Sequence, residues 1–594
     1  MIMIRLDERK KLIAVLFITF LVYSNTLLNN FVWDDIIFIG GWDDIRSMTS
    51  IPNMLLGSNP PGHDGVYRPL RGVFYTISFA LFGTKPLGYR MQAIAVHLAC
   101  TAAAYMLAKR LSKREDIGLV TALLFGLHPV HAEAISFTTT SFDIIGVIFF
   151  FASLTRYLDY ADGKGRARLY ESYALAGLAF FTYEMTLTLP AMVLLHIWVF
   201  GKREDLKAWA PYMVLAFSYL AMRFLVFDVT ARAEYLEGSL SLTMLAMTKA
   251  LWKYLTLTVI PVGLSVNHSL GEGIHAFVHS DYNRDAILAQ AITDTVTLFA
   301  LTVSLGLLTL AVAVRKRGGI ASFSIMWFFL GLAPVSNLIP QTALMAERYM
   351  YISSFGFCLI VAWGAIKLYD WGTERRVQPA RLLPILLIVA LTIGYFGITF
   401  TRNFDWHDSI SLWTSAIAAS PDSGYNRYNM GVANRNFGPE GGSSYSHYNL
   451  GVAYRDTGDL KAAYALFKRA AELDGGNAEA YYNMGNIDFM RGDIDGAIDK
   501  YRYALSVKPW HSRAHANLCL AYTERGMTDL SIAHCIRATE LEPGTPQIWN
   551  NLGVAYLKAN RTEEAIPNFR RALSLDPYYG VAEKNLIKAR TQHN

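Results

Sequence analysis

Residues 8–35 read ERKKLIAVLFITFLVYSNTLLNNFVWDD, and three features of this stretch set the reading of the whole chain. Bases come first, at Arg9, Lys10 and Lys11, with Arg5 just upstream. An apolar run to about Leu28 follows, and the adjacent carboxylates Asp34 and Asp35 close the stretch. Such a run is long enough to cross the hydrocarbon core of a bilayer, and bases on its leading side mark that side as cytoplasmic. A secretory signal peptide opens in the same way. Here no small-residue cleavage site follows and many more apolar runs do, so the segment reads as a retained first helix.

Outward from this stretch the pattern repeats. The 594 residues are 53% hydrophobic and only 17% charged, whereas soluble chains approach a quarter charged. That balance excludes disorder and indicates a membrane protein. Apolar runs follow near 88–108, 117–130, 142–158, 171–184, 186–200, 209–227, 292–314, 320–338, 351–369 and 382–400, giving about eleven spans. Bases cluster in alternate connections: Lys109 to Arg114, Lys164 to Arg168, Lys202 to Lys207, Arg315 to Arg317 and Arg375 to Arg381. The first loop, the loop from about 228 to 291 and the C-terminal region then lie on the extracytoplasmic side. Met244 to Val262 is apolar enough to cross and would invert this parity, but Lys249 and Lys253 punctuate it and it reads as a helix along the interface. The net charge of +6 sits mainly in short loops, which argues against nucleic acid as a partner. Four scattered cysteines make neither a disulfide scaffold nor a CxxC metal site.

From Tyr445 the chain changes character and repeats every 34 residues. The phrases Tyr448-Asn449-Leu450-Gly451, Tyr482-Asn483-Met484-Gly485, Ala516-Asn517-Leu518-Cys519 and Asn550-Asn551-Leu552-Gly553 align, as do alanines 470, 504, 538 and 572 and prolines 509, 543 and 577. This resembles the tetratricopeptide repeat, a helix-turn-helix unit of that length. Tyr428-Asn429-Met430-Gly431 repeats the opening phrase 20 residues early and reads as a truncated cap or hinge. The expected architecture is all-α: a polytopic membrane domain over 1–400, a linker with a truncated repeat-like helix over 401–444, and a tetratricopeptide α-solenoid of about four repeats over 445–594. Cys519 and Cys535 take a small-residue and an aromatic position of one repeat and read as buried thiols in the helix interface.

Chemistry-bearing residues gather at the outer ends of the spans. Asp34 and Asp35 stand at the mouth of the first. A carboxylate there, beside Trp33, is partly desolvated, which tunes a general base; on a plain surface such a pair, like Asp43 and Asp44, is merely solvated. Arg68 sits in Tyr67-Arg68-Pro69-Leu70; His128, His131 and Glu133 in His128-Pro129-Val130-His131-Ala132-Glu133; Glu347 and Arg348 before the tenth span; Glu184 and Arg223 in or near apolar runs. Ionisable groups at membrane depth are costly and usually paired or functional. The HxxHxE spacing is not the i, i+4 pair of a zinc helix and Pro129 breaks the helix, so substrate-facing hydrogen bonding suits these residues better than metal. Neither a GxxxxGK[ST] loop nor a GxGxxG turn is present, and a nucleotide donor has no evident seat.

Taken in order, these motifs resemble the transmembrane and tetratricopeptide-containing O-mannosyltransferases, members of the GT-C class. The resemblance includes Leu220 to Leu225 around Arg223, Ser336-Asn337-Leu338, Ala346-Glu347-Arg348 with Gly356-Phe357-Cys358, and Arg402-Asn403 with Trp406. Two departures stand out. Tyr183-Glu184 replaces the family's frequent Lys-Glu, and Thr140-Ser141-Phe142-Asp143 replaces its Gly-Arg-Ala-Asp.

The resemblance implies inverting transfer of mannose or another hexose from a polyprenyl phosphate to Ser or Thr hydroxyls of proteins on the extracytoplasmic side. Asp34 would be the general base and Asp35 a second catalytic carboxylate. Arg68 and Arg348 would meet the donor phosphate, and His128, His131, Glu133, Asp143, Glu184, Arg223 and Glu347 would line the pocket. No cofactor is firmly implied; the lipid-linked sugar is the donor, and a divalent metal stays compatible. Asn449, Asn483, Asn517 and Asn551 would form an amide ladder holding the acceptor polypeptide. The short repeat array points to a bacterial or archaeal cell membrane over the endoplasmic reticulum. Two rival readings are a ligase or polymerase of lipid-linked oligosaccharides, which would move a whole glycan from a diphosphate lipid, and a membrane-anchored repeat scaffold without activity.

Overall fold

The described residues of all eleven apolar runs are mainly helical in the computed structural model, which describes the chain apart from residues 1–6, 58–66, 202–205, 228–234, 272–273, 277–294, 422, 438–443, 457 and 594. A few side chains inside helices, Asn449's among them, also lie outside the described residues. Among the described residues seven segments are long and apolar enough to cross a membrane: Glu8–Leu28, Pro86–Ser112, Thr138–Ala161, Leu206–Val226, Thr295–Val314, Glu347–Glu374 and Gln378–Asp405. An eighth is counted if Glu115–Leu127 and Pro129–Ser136, which meet at 53°, form one broken span. Arg166–Thr182, Glu184–Phe200 and Gly319–Val335 are helical but shorter. Leu240–Val259 is a helix whose buried face carries Ala246, Lys249, Tyr254 and Leu257.

Local chemistry explains the breaks. Proline cannot donate a backbone N–H and forces the residue before it into extended backbone, so His128 leaves the helix at φ −61°, ψ 123° and Pro129 starts a new turn at a new angle. Pro69, Pro86, Pro190 and Pro379 stand in the first turns of their helices, where the missing N–H costs nothing. Small residues set the closest helix contacts. A Cβ on Gly356 would lie 2.5 Å from the carbonyl oxygen of Ser324, so only glycine allows Met350–Glu374 to approach Gly319–Leu332 there. Leu386, Ile393 and other large apolar residues of Gln378–Asp405 stay exposed, the inverse of a soluble helix and the pattern of a lipid-facing surface.

The described residues form two compact units, Met1–Ser423 and Gly424–Asn594, and the division falls within the stretch 401–444. The second is a run of helix pairs: Ser444–Asp456 with Leu460–Leu473, Ala478–Met490 with Ile494–Val507, Ser512–Glu524 with Thr528–Leu541, and Pro546–Lys558 with Thr562–Leu575. Gly424–Phe437 precedes them and Gly580–His593 follows. The turn inside each pair needs one left-handed residue, and Gly458, Gly492, Gly526 and Asn560 supply it at φ between 57° and 85°, again 34 apart. Asp459, Asn477 and Asp493 then cap the following helices, each accepting from the N–H three residues on at 3.0 Å.

Within each pair a small residue of the first helix faces a large one of the second. Gly451 faces Phe467, Gly485 faces Tyr501 and Gly553 faces Phe569, with no room for a Cβ. The third pair corrects the expectation of two free buried thiols. Cys519 and Cys535 hold the equivalent positions, their Cα atoms 5.3 Å apart, and are joined as a disulfide. The contact that elsewhere seats an aromatic ring on a glycine brings two cysteines within bonding reach.

On the same helices the Nδ1 atoms of His515 and His534 lie 2.8 Å apart, so one donates and the other accepts. Burial first holds both imidazoles below the ordinary histidine range, helped by Arg537 and His511 beside His515 and by His515 and Arg502 beside His534. A base with a lowered folded pKa stays neutral in the fold while the unfolded chain takes up protons below about pH 6.5, so stability here is lost as pH falls. Amide exchange in Ser512–Glu524 and Thr528–Leu541, corrected for intrinsic chemistry, should therefore accelerate between about pH 7.5 and about pH 5.5. His534→Gln should flatten that dependence; an unchanged slope in the variant would assign it elsewhere.

Candidate active site

Asp34 and Asp35 open a short helical turn after the first span, and the structure gives them different environments. Asp35 is fully buried. Its Oδ1 accepts from the Thr139 amide at 2.7 Å and hydroxyl at 2.8 Å, its Oδ2 from the amides of Thr138 at 3.3 Å and Val32 at 3.5 Å, and Arg90 Nη2 stands 3.6 Å away. The carboxylate thus caps the N-terminus of Thr138–Ala161 from another part of the chain, where unpaired N–H groups and the helix dipole favour an anion. Burial pushes its pKa above the usual carboxylate range, while Arg90 and Thr139 pull it back. Arg90, also fully buried, bonds the carbonyls of Asn29, Asn30 and Ser136. Asp34 is only half-buried. The preceding Trp33 has φ 52°, left-handed backbone that costs an L residue of this size roughly 1–2 kcal/mol.

A second cluster joins Arg68, Arg71, Asp143 and Glu184. The Arg68 guanidinium bonds both oxygens of Glu184, one of them at 2.7 Å, and both oxygens of Asp143 at 2.9 Å, and lies over the Tyr183 ring. Arg71 Nε is 3.4 Å from Asp143 and its Nη2 bonds the Thr139 carbonyl at 3.0 Å. Glu184 and Tyr183, the pair that forms one of the two departures from the family pattern, therefore hold Arg68 in place together with Asp143.

The third cluster is built on Glu133 and Glu347, both fully buried. Glu133 pairs with Arg348 and accepts from the Glu347 amide at 3.0 Å. Glu347 accepts from the Ser265 amide at 2.6 Å, with His268 Nε2 at 3.0 Å and Arg402 Nη2 at 3.7 Å.

The other expected site residues are placed differently. His128 and His131 are buried between helices, on the Thr258 carbonyl at 3.1 Å and the Ser354 hydroxyl at 2.8 Å, and pack against Tyr395 and Tyr351. Arg223 is buried in the turn Met222–Val226 with its guanidinium over Phe224. Among the described residues no group of three His, Cys, Asp or Glu is arranged to hold a metal ion. In the repeats, Asn483 gives its amide N–H to the Glu479 carbonyl at 2.9 Å and takes Arg455 at 2.6 Å, and Asn517 bonds Asn486 at 2.8 Å. Both amides link neighbouring helices. Asn551 is half-buried, and the side chain of Asn449 lies outside the described residues. A cavity of about 370 Å³ nearby is lined by Arg455, Asn486, Phe489, Tyr501 and Asn517.

Sequence reading missed Arg90, Arg71 and His268. The signal for Arg90 was present, an unpaired charge inside an apolar helix; for His268 there was none, because only folding carries it to Glu347.

Residues 68–227 match the family described as dolichyl-phosphate-mannose-protein mannosyltransferase, and residues 454–499 and 546–579 match tetratricopeptide repeats. A protein O-mannosyl-transferase of Caenorhabditis elegans, F38B6.6, is 23% identical over 71% of this chain and 59% of its own length. The human protein O-mannosyl-transferases TMTC3 and TMTC2 are 23% and 22% identical over 70% and 67% of this chain, and 48% and 57% of theirs. The chain thus spans about half the length of the curated relatives it matches. The chain is therefore similar to these O-mannosyl-transferases over most of its length, with a stretch that matches the mannosyltransferase family model followed by stretches that match the tetratricopeptide repeat. These relatives are animal proteins and lend nothing to the expectation of a bacterial or archaeal membrane.

Removing one partner from a buried charge cluster leaves the opposite charge uncompensated. Arg68→Met should therefore lower stability by about 3–5 kcal/mol, because Asp143 and Glu184 would then face each other with only Arg71 between them. Glu184→Gln, which leaves Asp143 on Arg68, should cost less. Thermal unfolding of the purified protein in nanodiscs checks the order, and an equal or inverted order would mean that the cluster does not act as a unit.

Proposed function

We propose that this chain transfers mannose from a polyprenyl-phosphate donor to Ser or Thr hydroxyls of proteins on the extracytoplasmic side, with inversion at the anomeric carbon and Asp34 as general base. The observation that carries the reading is the division of labour at the mouth of the first span. Asp35 is fully buried against Arg90 and a helix N-terminus, whereas Asp34 beside it is half-buried. In the reaction the acceptor oxygen bonds the anomeric carbon and Asp34 takes its proton. The bond to the donor phosphate breaks, and the prenyl phosphate leaves with the electron pair.

Of the two arginines read as phosphate ligands, Arg348 suits the leaving group better. It engages Glu133 through one nitrogen, while Arg68 uses all three of its nitrogens on two carboxylates. Arg68, Asp143 and Glu184 then shape the donor side of the pocket, and Glu347 ties the segment around Ser265 and His268 to it. The buried histidines His128 and His131 hold the surrounding helices. Acceptor polypeptides are held by the repeats through their groove side chains, since the amides of Asn483 and Asn517 already serve the solenoid. The disulfide in the third repeat supports the extracytoplasmic side, because such bonds persist in oxidising compartments.

Asp34→Asn is nearly isosteric and cannot take the proton, so it should fold normally and lose roughly 10²- to 10⁴-fold in transfer from dolichyl-phosphate-mannose. Asp43→Asn is the control; equal losses in both would show that the assay reports stability, and wild-type transfer by Asp34→Asn would remove the base. For sidedness, protein taken from cells under thiol-blocking conditions should accept a mass tag at Cys519 and Cys535 only after reduction. Failure to take up the tag even after reduction, because both thiols had been free and were blocked, would place the repeats in a reducing compartment.

A further inference from the structure

We propose that Trp33 is the positioning residue of the Asp34 base, an inference that rests on the general-base reading. A bulky L residue persists in left-handed backbone only where its surroundings over-determine it. Here the surroundings are aromatic. The Trp33 indole stacks on Phe137 with ring centroids 5.2 Å apart and planes at 12°, and meets Trp413 edge-on at 5.6 Å and 80°. Phe137 in turn stacks on Trp406 at 5.7 Å and 25°. These rings come from the first loop, the junction before Thr138–Ala161, the end of Gln378–Asp405 and the helix Ser409–Ala419, and both Trp406 and Trp413 are buried.

The stack bears directly on the carboxylates. Immediately after Trp33 the chain turns helically, with Asp35 N–H on the Val32 carbonyl at 3.0 Å and Ile36 N–H on the Trp33 carbonyl at 3.3 Å. Successive side chains on such a turn project about 100° apart, so a single rotation decides which carboxylate enters the Arg90 cage and which stays at the mouth. The Trp33 backbone supplies that rotation and its ring holds it. Without the ring the turn relaxes toward ordinary backbone and carries the Asp34 carboxylate off the acceptor hydroxyl, leaving the donor phosphate contacts untouched.

The test uses the full-length protein in nanodiscs with dolichyl-phosphate-mannose and a Thr-rich synthetic peptide. Trp33→Ala should lower kcat roughly 10- to 100-fold while KM for the lipid donor stays within about twofold, and Trp33→Phe, which can still stack, should restore most of the rate. A wild-type kcat in Trp33→Ala, or a raised donor KM with kcat unchanged, overturns the proposal. Should Trp33→Ala fail to fold, Phe137→Leu carries the test, since it removes the stacking partner and leaves the indole. A lowered kcat there supports positioning, and a wild-type kcat overturns it. An active Asp34→Asn would sink the base itself, whereas an inactive Asp34→Asn beside a fully active Trp33→Ala would sink only the positioning role.

Discussion

A charge removed from water must meet its opposite, and the membrane unit is organised by that requirement. Asp35 and Arg90 are both fully buried, and between them they satisfy the helix end at Ser136, the helix start at Thr138 and the backbone of Asn29 and Asn30. That one pair fastens the first loop to two elements more than fifty residues away. The other buried ions follow the same rule: Arg68 answers Asp143 and Glu184, Arg348 answers Glu133, and Arg402 stands against Glu347. Each cluster joins segments distant in the chain, so the groups proposed for the chemistry are also the ones that hold this part of the fold together.

This electrostatic closure makes the two departures from the family pattern intelligible. The chain lacks the frequent lysine before Glu184 and the arginine of the motif ending at Asp143, yet both carboxylates are retained and both point at Arg68. Tyr183, in the place of the lysine, offers its ring face to the same guanidinium. The cluster built this way pairs two carboxylates with Arg68 and Arg71 and covers Arg68 with an aromatic ring.

The repeat unit obeys packing more than charge. A glycine meets an aromatic ring in three of the four helix pairs, one left-handed residue turns the chain within each pair, and in the third pair the equivalent positions hold two cysteines joined by a covalent bond. Two of the asparagines that recur at each first helix belong to this packing: Asn483 and Asn517 are bonded across to neighbouring helices.

The sequence alone determined the two solvents of this protein, the helices that meet them and the period of the repeats, because hydropathy and a 34-residue spacing act locally and survive in one dimension. It also singled out most of the ions of the pocket, since a charge beside an apolar run is conspicuous. It did not say which of two adjacent carboxylates would be caged, that Arg90 would cage it, that His268 would reach Glu347, or that Cys519 would bond Cys535. Those outcomes depend on distances between residues far apart in the chain and on a backbone reversal at Trp33, which only the packed helices and their aromatic stack impose.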